Sequence, residues 1–135
     1  MDASYTNRLV SFKKSLDSFS KVRERDISDD FVLSGAIQKF NLTFDLAWKV
    51  MKDILVNEYG IIDFATDSPR ETLKKARSCE LIESDSWIDM MCDRNLLAHD
   101  YDGEIARDKV GIIINIYLPL FERLEVKINE NCISS

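Results

Sequence analysis

"DDFVLSGAIQKFNLTFDLAWKVMKDILVNEYG", residues 29–60, is the longest periodic stretch of the chain. Leu33, Ile37, Phe40, Phe44, Ala47, Met51 and Ile54 recur at spacings of three and four, so they line one stripe of an α-helix. Leu46, Trp48 and Val50 widen that stripe, and a helix apolar on more than one side must be covered by several neighbours. The pattern predicts a central helix over residues 29–59 closed by Gly60, the residue type that most readily takes a left-handed terminal turn. Asn41 and Asp45, one turn apart in this apolar setting, read as satisfied polar groups at the rim of the core rather than as ligands.

The neighbours are legible on both sides. Tyr5, Leu9, Phe12, Leu16 and Phe19 form the stripe of a first helix, with Lys13, Lys14 and Asp17 opposite. In "SPRETLKKA", Ser68 reads as an N-cap, Pro69 as the first helical residue and Glu71 as the closing member of a capping box, which starts a short third helix. A fourth helix over residues 84–98 is expected to turn Trp87, Ile88, Met91, Cys92 and Leu96 inward. Its Asp85, Asp89 and Asp93 read as a solvated acidic stripe, because like charges one turn apart weaken a helix and are best tolerated in water. A docking edge for a basic partner is the sharper reading of the same stripe. A fifth helix starts near Asp102 as N-cap and turns Ile105, Ile113, Tyr117, Leu120, Leu124 and Ile128 inward. Pro119 is expected to kink it, since proline lacks the backbone donor and crowds the preceding turn. With no β alternation and no repeat, the fold class is all-α: one antiparallel bundle of about five helices over residues 1–135, with residues 129–135 a polar tail.

Composition narrows the function. Hydrophobic residues make up 45% and charged residues 31% of the 135, a balance suited to one globular domain. No apolar run approaches the roughly 20 residues that span a bilayer. An early acid and the lack of an apolar leader run suit a cytoplasmic protein without a membrane partner. Cys79, Cys92 and Cys132 form no paired motif and there is a single histidine, so reduced thiols, no metal and no cofactor are expected. A net charge of −6 argues against broad non-specific nucleic-acid binding, and any RNA site must be local.

The chemistry concentrates in "DRNLLAHDYD", residues 93–102, where the fourth helix ends. A histidine there has a simple structural use, since its cationic form complements the negative end of the helix dipole. Arg94 and His99 offer more together. Arginine clamps phosphate, and histidine takes and gives protons near neutral pH. Metal-free cleavage of RNA by its own 2′-hydroxyl needs a base, an acid and a charge stabiliser. One chain has one histidine, so concerted acid and base roles call for a symmetric homodimer that brings two His99 and two Arg94 into one cleft.

The spacing of Arg94, four residues, His99, one residue and Tyr101 resembles the signature of HEPN domains, in particular the HEPN toxins paired with a minimal nucleotidyltransferase (MNT) antitoxin. "FNLTFDLAWKVMKDIL", "SPRETLKKARSCELI" and the tryptophan-to-arginine text of residues 87–95 resemble the branch called nucleotidyltransferase substrate-binding proteins, and the similarity covers roughly residues 5–125. The resemblance implies a five-helix bundle, a homodimer and metal-independent endoribonuclease activity at its cleft. It implies Arg94 and His99 as the catalytic pair, Asn95 as an auxiliary polar residue, and Tyr101 as the tyrosine to which the MNT partner adds AMP. The chain has no Gly-Ser followed by spaced aspartates, so a transferase activity must come from that partner. The acidic flank of Asp93, Asp100 and Asp102 opposes RNA. Asp102 also reads as a plain N-cap and Asp93 as a solvent-facing residue. The alternative function is a non-catalytic subunit that binds substrate or nucleotide for a nucleotidyltransferase.

Overall fold

The computed structural model describes residues 3–61 and 68–131, whose regular elements are all helices, with no strand among them. Helix α1 (Ala3–Ser20) runs into a 3-10 turn (Lys21–Glu24), and α2 (Asp30–Asn57), α3 (Pro69–Ser78) and α4 (Ser86–Leu97) follow. The last rod is continuous and has three parts: α5 (Glu104–Ile112), a π-helical turn (Ile113–Tyr117) and α6 (Leu118–Asn131). Five rods therefore make the all-α bundle among the described residues, and none is long and apolar enough to cross a membrane.

The expected start and stop signals operate. Asp29 caps α2, its carboxylate accepting from the N–H groups of Phe31 and Val32 at 2.8 and 3.3 Å. Gly60 takes the left-handed backbone that ends the helix, with φ of 68°. Ser68 accepts from the Glu71 N–H at 3.2 Å ahead of Pro69.

Helix α2 lies at the centre, packed along α1, α3 and α5. Its predicted stripe is buried apart from Ile37, which like Leu46 is only partly covered. The five predicted residues of α1 are all buried against it. Two polar ties fix α1 on α2: a buried Ser15–Thr43 hydroxyl pair at 2.7 Å, and Arg8 on both oxygens of Asp53 at 2.8 and 2.9 Å. Below them Phe121 meets the rings of Phe19, Phe40 and Trp87, while Phe40 stacks on Tyr117 at 6.0 Å.

Three features were not foreseen. Ahead of Pro119 the rod makes a π turn, in which the Leu118 N–H donates to the Ile113 carbonyl. The widened turn relieves the crowding that the proline ring would impose on the carbonyl four residues back. Second, α4 is rolled from the predicted orientation: Cys92 and Leu96 are exposed, whereas Met90 and Asp93 are buried. Asp85 and Asp89 do face solvent, but Asp93 leaves the acidic stripe because polar partners await it on the last rod. Third, residues 129–131 continue α6, and Asn129 accepts from Lys13 at 2.7 Å, so the expected polar tail starts inside a helix. Cys132 and the rest of that tail lie outside the described residues.

Candidate functional site

Helix α4 ends by tightening. The His99 N–H donates to the Leu96 carbonyl at 3.0 Å and the Asp100 N–H to the Leu97 carbonyl at 3.2 Å, the three-residue spacing by which a helix end satisfies its last carbonyls. Asp100 then reaches forward. Its two oxygens accept from the Ile105 and Ala106 N–H groups at 3.0 and 2.8 Å, so this carboxylate caps α5. The carboxylate of Asp102, expected as the N-cap, accepts among the described residues from the Glu104 N–H alone, at 3.2 Å, and Gly103 occupies the cap position with φ of 79°. The left-handed backbone at Gly103 is what lets an acid three residues earlier serve the helix. Arg107 closes the turn by donating to the Asp102 carbonyl at 3.0 Å, and its guanidinium lies over Gly103, where a Cβ would come within 3.4 Å of Nη1.

With the backbone of the turn held in this way, His99 and Tyr101 are left to solvent. Tyr101 is 93% exposed and His99 is exposed. Among the described residues the imidazole has no hydrogen-bond partner. Asn95 is exposed as well. A groove of about 370 Å³ runs beside Tyr101, floored by Leu33, Ile37, Leu97 and Ala106 and flanked by Arg107. That volume falls inside the roughly 300–1,000 Å³ of small-molecule sites.

Arg94, one turn earlier, is held more firmly. One guanidinium nitrogen, Nη2, donates to Asp45 Oδ1 at 2.5 Å, and the carbon of the guanidinium lies 5.8 Å from the centre of the Phe44 ring. The side chain keeps 30% of its exposure, and a guanidinium has further donors beside the one given to Asp45. Asp45 is satisfied as expected. Asn41 is not, for its Oδ1 is buried without a partner among the described residues.

Sequence reasoning missed the partners of Arg94 and Asp93. Asp45 stands 49 residues from Arg94, and its only sequence signal was an acid set in the apolar run of α2. Asp93 receives a short hydrogen bond from the Tyr117 hydroxyl, and Lys109 Nζ stands 3.1 Å from its other oxygen. Burial first, and then the bond to Asp93, push the Tyr117 hydroxyl far above its ordinary pKa, so it remains a donor at any physiological pH. Two of the three acids expected to repel RNA are therefore committed: Asp93 to a phenol and an ammonium, Asp100 to backbone N–H groups.

As chemistry, the end of α4 offers an oriented cation and a proton carrier, with a phenol nearby, all open to solvent. The family described as nucleotidyltransferase substrate binding protein like matches residues 7–130. A probable ribonuclease HepT of Haemophilus influenzae is 32% identical over 82 residues, which cover 59% of this chain and 56% of that relative. The chain thus spans little more than half the length of the curated relative it matches. The matched family model takes in nearly all of the bundle, and with it the chain belongs to the nucleotidyltransferase substrate-binding protein-like family, the branch of HEPN-domain toxins that its arginine, histidine and tyrosine resemble.

Proposed function

We propose that the protein is the toxin of a HEPN/MNT toxin–antitoxin pair, a cytoplasmic endoribonuclease that needs neither metal nor cofactor. The observation that carries this reading is that His99 and Tyr101 are exposed, and Arg94 partly so, at and just beyond the C-terminal end of one helix. Two chains face each other so that one His99 takes the proton of a 2′-hydroxyl and the other returns a proton to the departing 5′-oxygen. The 2′-oxygen bonds to phosphorus as the bond to the 5′-oxygen breaks, leaving a cyclic phosphate and a 5′-hydroxyl end. Arg94 stabilises the extra charge on the phosphoryl oxygens. Asn95 is an auxiliary polar group. A likeness to a probable ribonuclease supports this chemistry.

Neutralisation falls to a partner minimal nucleotidyltransferase. It transfers AMP from ATP to the Tyr101 oxygen with release of pyrophosphate, and each added phosphate competes for Arg94. The exposure of Tyr101, at 93%, suits entry into another enzyme's active site. Expression of the chain alone should slow growth, and His99→Ala or Arg94→Ala should relieve it. Equal toxicity of all three chains defeats the nuclease reading. Intact-mass measurement after incubation with the partner, ATP and Mg²⁺ tests the modification: added mass on Tyr101→Phe equal to that on the wild type places it elsewhere. The groove beside Tyr101 favours one alternative, a non-catalytic subunit that binds nucleotide for the transferase. Under that reading nucleotide binds the isolated chain and RNA is not cut.

A further inference from the structure

Asp93 and Arg94 are consecutive, and consecutive residues of an α-helix point about 100° apart. The structure ties each to a different neighbour. Asp93 goes to the last rod, where Tyr117 donates to one oxygen and Lys109 pairs with the other at 3.1 Å. Arg94 goes to α2, bonded to Asp45 and lying over Phe44. Two ties at adjacent positions, pulling in different directions, leave α4 no freedom to roll about its axis.

We infer that Tyr117 and Lys109, acting on Asp93, are positioning residues for the Arg94–His99 end of α4: they set the roll that presents Arg94 to the site.

Packing alone gives no reason for this trio. Burying a carboxylate with a phenol and an ammonium costs desolvation that well-packed apolar side chains would not incur, and an apolar contact would join α4 to the last rod equally well. An apolar contact is, however, tolerant of rotation. The hydrogen bond from Tyr117 to one oxygen is directional and the Lys109 ammonium pairs with the other oxygen, so the trio supplies orientation where oil would supply only adhesion. Tyr117 is itself fixed, with its ring stacked on Phe40 at the end of the π turn. The inference builds on the assignment of Arg94 and His99 as the reacting groups, but its structural half is measurable without RNA.

The test is a double-mutant cycle in urea with Tyr117→Phe, which keeps the ring and removes the hydroxyl, and Asp45→Asn on the opposite tie. If the two ties share the roll of α4, the unfolding constant of the double variant should depart by about threefold or more from the product of the single effects. A product matched within about 1.5-fold overturns the inference. On RNA, kcat of Tyr117→Phe should fall about tenfold or more with KM little changed, because misplacement of a reacting group lowers the rate of the step. Ser15→Ala breaks a buried hydroxyl pair between α1 and α2 that belongs to neither tie, and should lose stability without that fall in kcat. Wild-type kcat in Tyr117→Phe also overturns the inference. A coupled cycle in a chain that cuts no RNA leaves the tie standing and removes the nuclease reading. Lys109→Gln replaces Tyr117→Phe if the latter does not fold.

Discussion

Asp93 and Asp100 lie seven residues apart and are used in opposite ways. In the middle of α4, Asp93 is buried and bound by two side chains, so what it immobilises is a helix. In the turn that follows, Asp100 binds two backbone N–H groups, so what it immobilises is the path of the main chain. The side chains of His99 and Tyr101, on either side of Asp100, are left out of the network and face water. The contrast separates two ways of fixing structure: a carboxylate bound by side chains holds a helix, and one bound by backbone N–H groups holds the main chain and leaves neighbouring side chains free for a ligand.

Substitutions in the two regions should accordingly fail in different currencies. The largest effect is expected in activity: under the proposed function, His99→Ala in the turn or Arg94→Ala one turn earlier in α4 should lower RNA cleavage by about 10²–10⁴-fold, the usual contribution of one acid–base or charge-stabilising group. His99→Ala should leave the urea midpoint nearly unchanged, because the ring has no partner among the described residues. A large loss of stability in His99→Ala would erase the distinction. The next largest effect is expected in the frame. Asp93→Ala strands the Tyr117 hydroxyl and Lys109, and should cost about 3 kcal/mol by urea unfolding. A loss below about 1 kcal/mol would mean that the trio is held by something other than the carboxylate.

Asp100→Ala sharpens the comparison from between. It should cost about 1–2 kcal/mol, the range of a lost helix cap, and hydrogen exchange should quicken at the Ile105 and Ala106 amides in particular. Uniform quickening along α5 and α6 would instead assign Asp100 to the global fold. The smallest effect lies outside both regions. Glu122, hydrogen-bonded by the Arg23 guanidinium, is held below the ordinary carboxylate pKa. The folded state thus favours its charged form, so its contribution is present above the unfolded pKa and is lost as pH falls through the lower folded one. Both side chains are 40% exposed, and solvent screening limits the effect of Glu122→Gln to a few tenths of a kcal/mol, visible only as a slightly smaller stability loss on acidification.

The stripes of α1 and α2, the Ser68 cap and Gly60 were legible because each signal is local: apolar residues at helical spacing, or one residue type at a helix end. Arg94, His99 and Tyr101 could be singled out as candidates for the same reason, since they sit within eight residues of sequence. The orientation of α4 was not. An aspartate in a row of aspartates reads as solvated, and its burial depends on a phenol 24 residues later in the last rod. Cys92 and Leu96, apolar by composition, were displaced outward by the same roll. Asp45 was read correctly as satisfied, but its partner is set by the packing of α2 against α4. Asp102 was misjudged because the left-handed backbone at Gly103 transfers the main capping task to Asp100, a reach that no cap motif encodes.

The π turn at Ile113–Tyr117 bears on which length changes this rod tolerates. A π turn holds one residue more than an α turn, so it is the place where a single-residue deletion restores a regular helix. Because the π turn completes its revolution with that extra residue, the shortened rod would keep α5 and α6 in nearly the same phase, with Lys109 and Tyr117 both still able to meet Asp93. A deletion within α6 has no such reserve: it would turn everything beyond it by about 100° and carry Leu124 and Ile128 off the core. The extra residue is thus a length buffer in the rod.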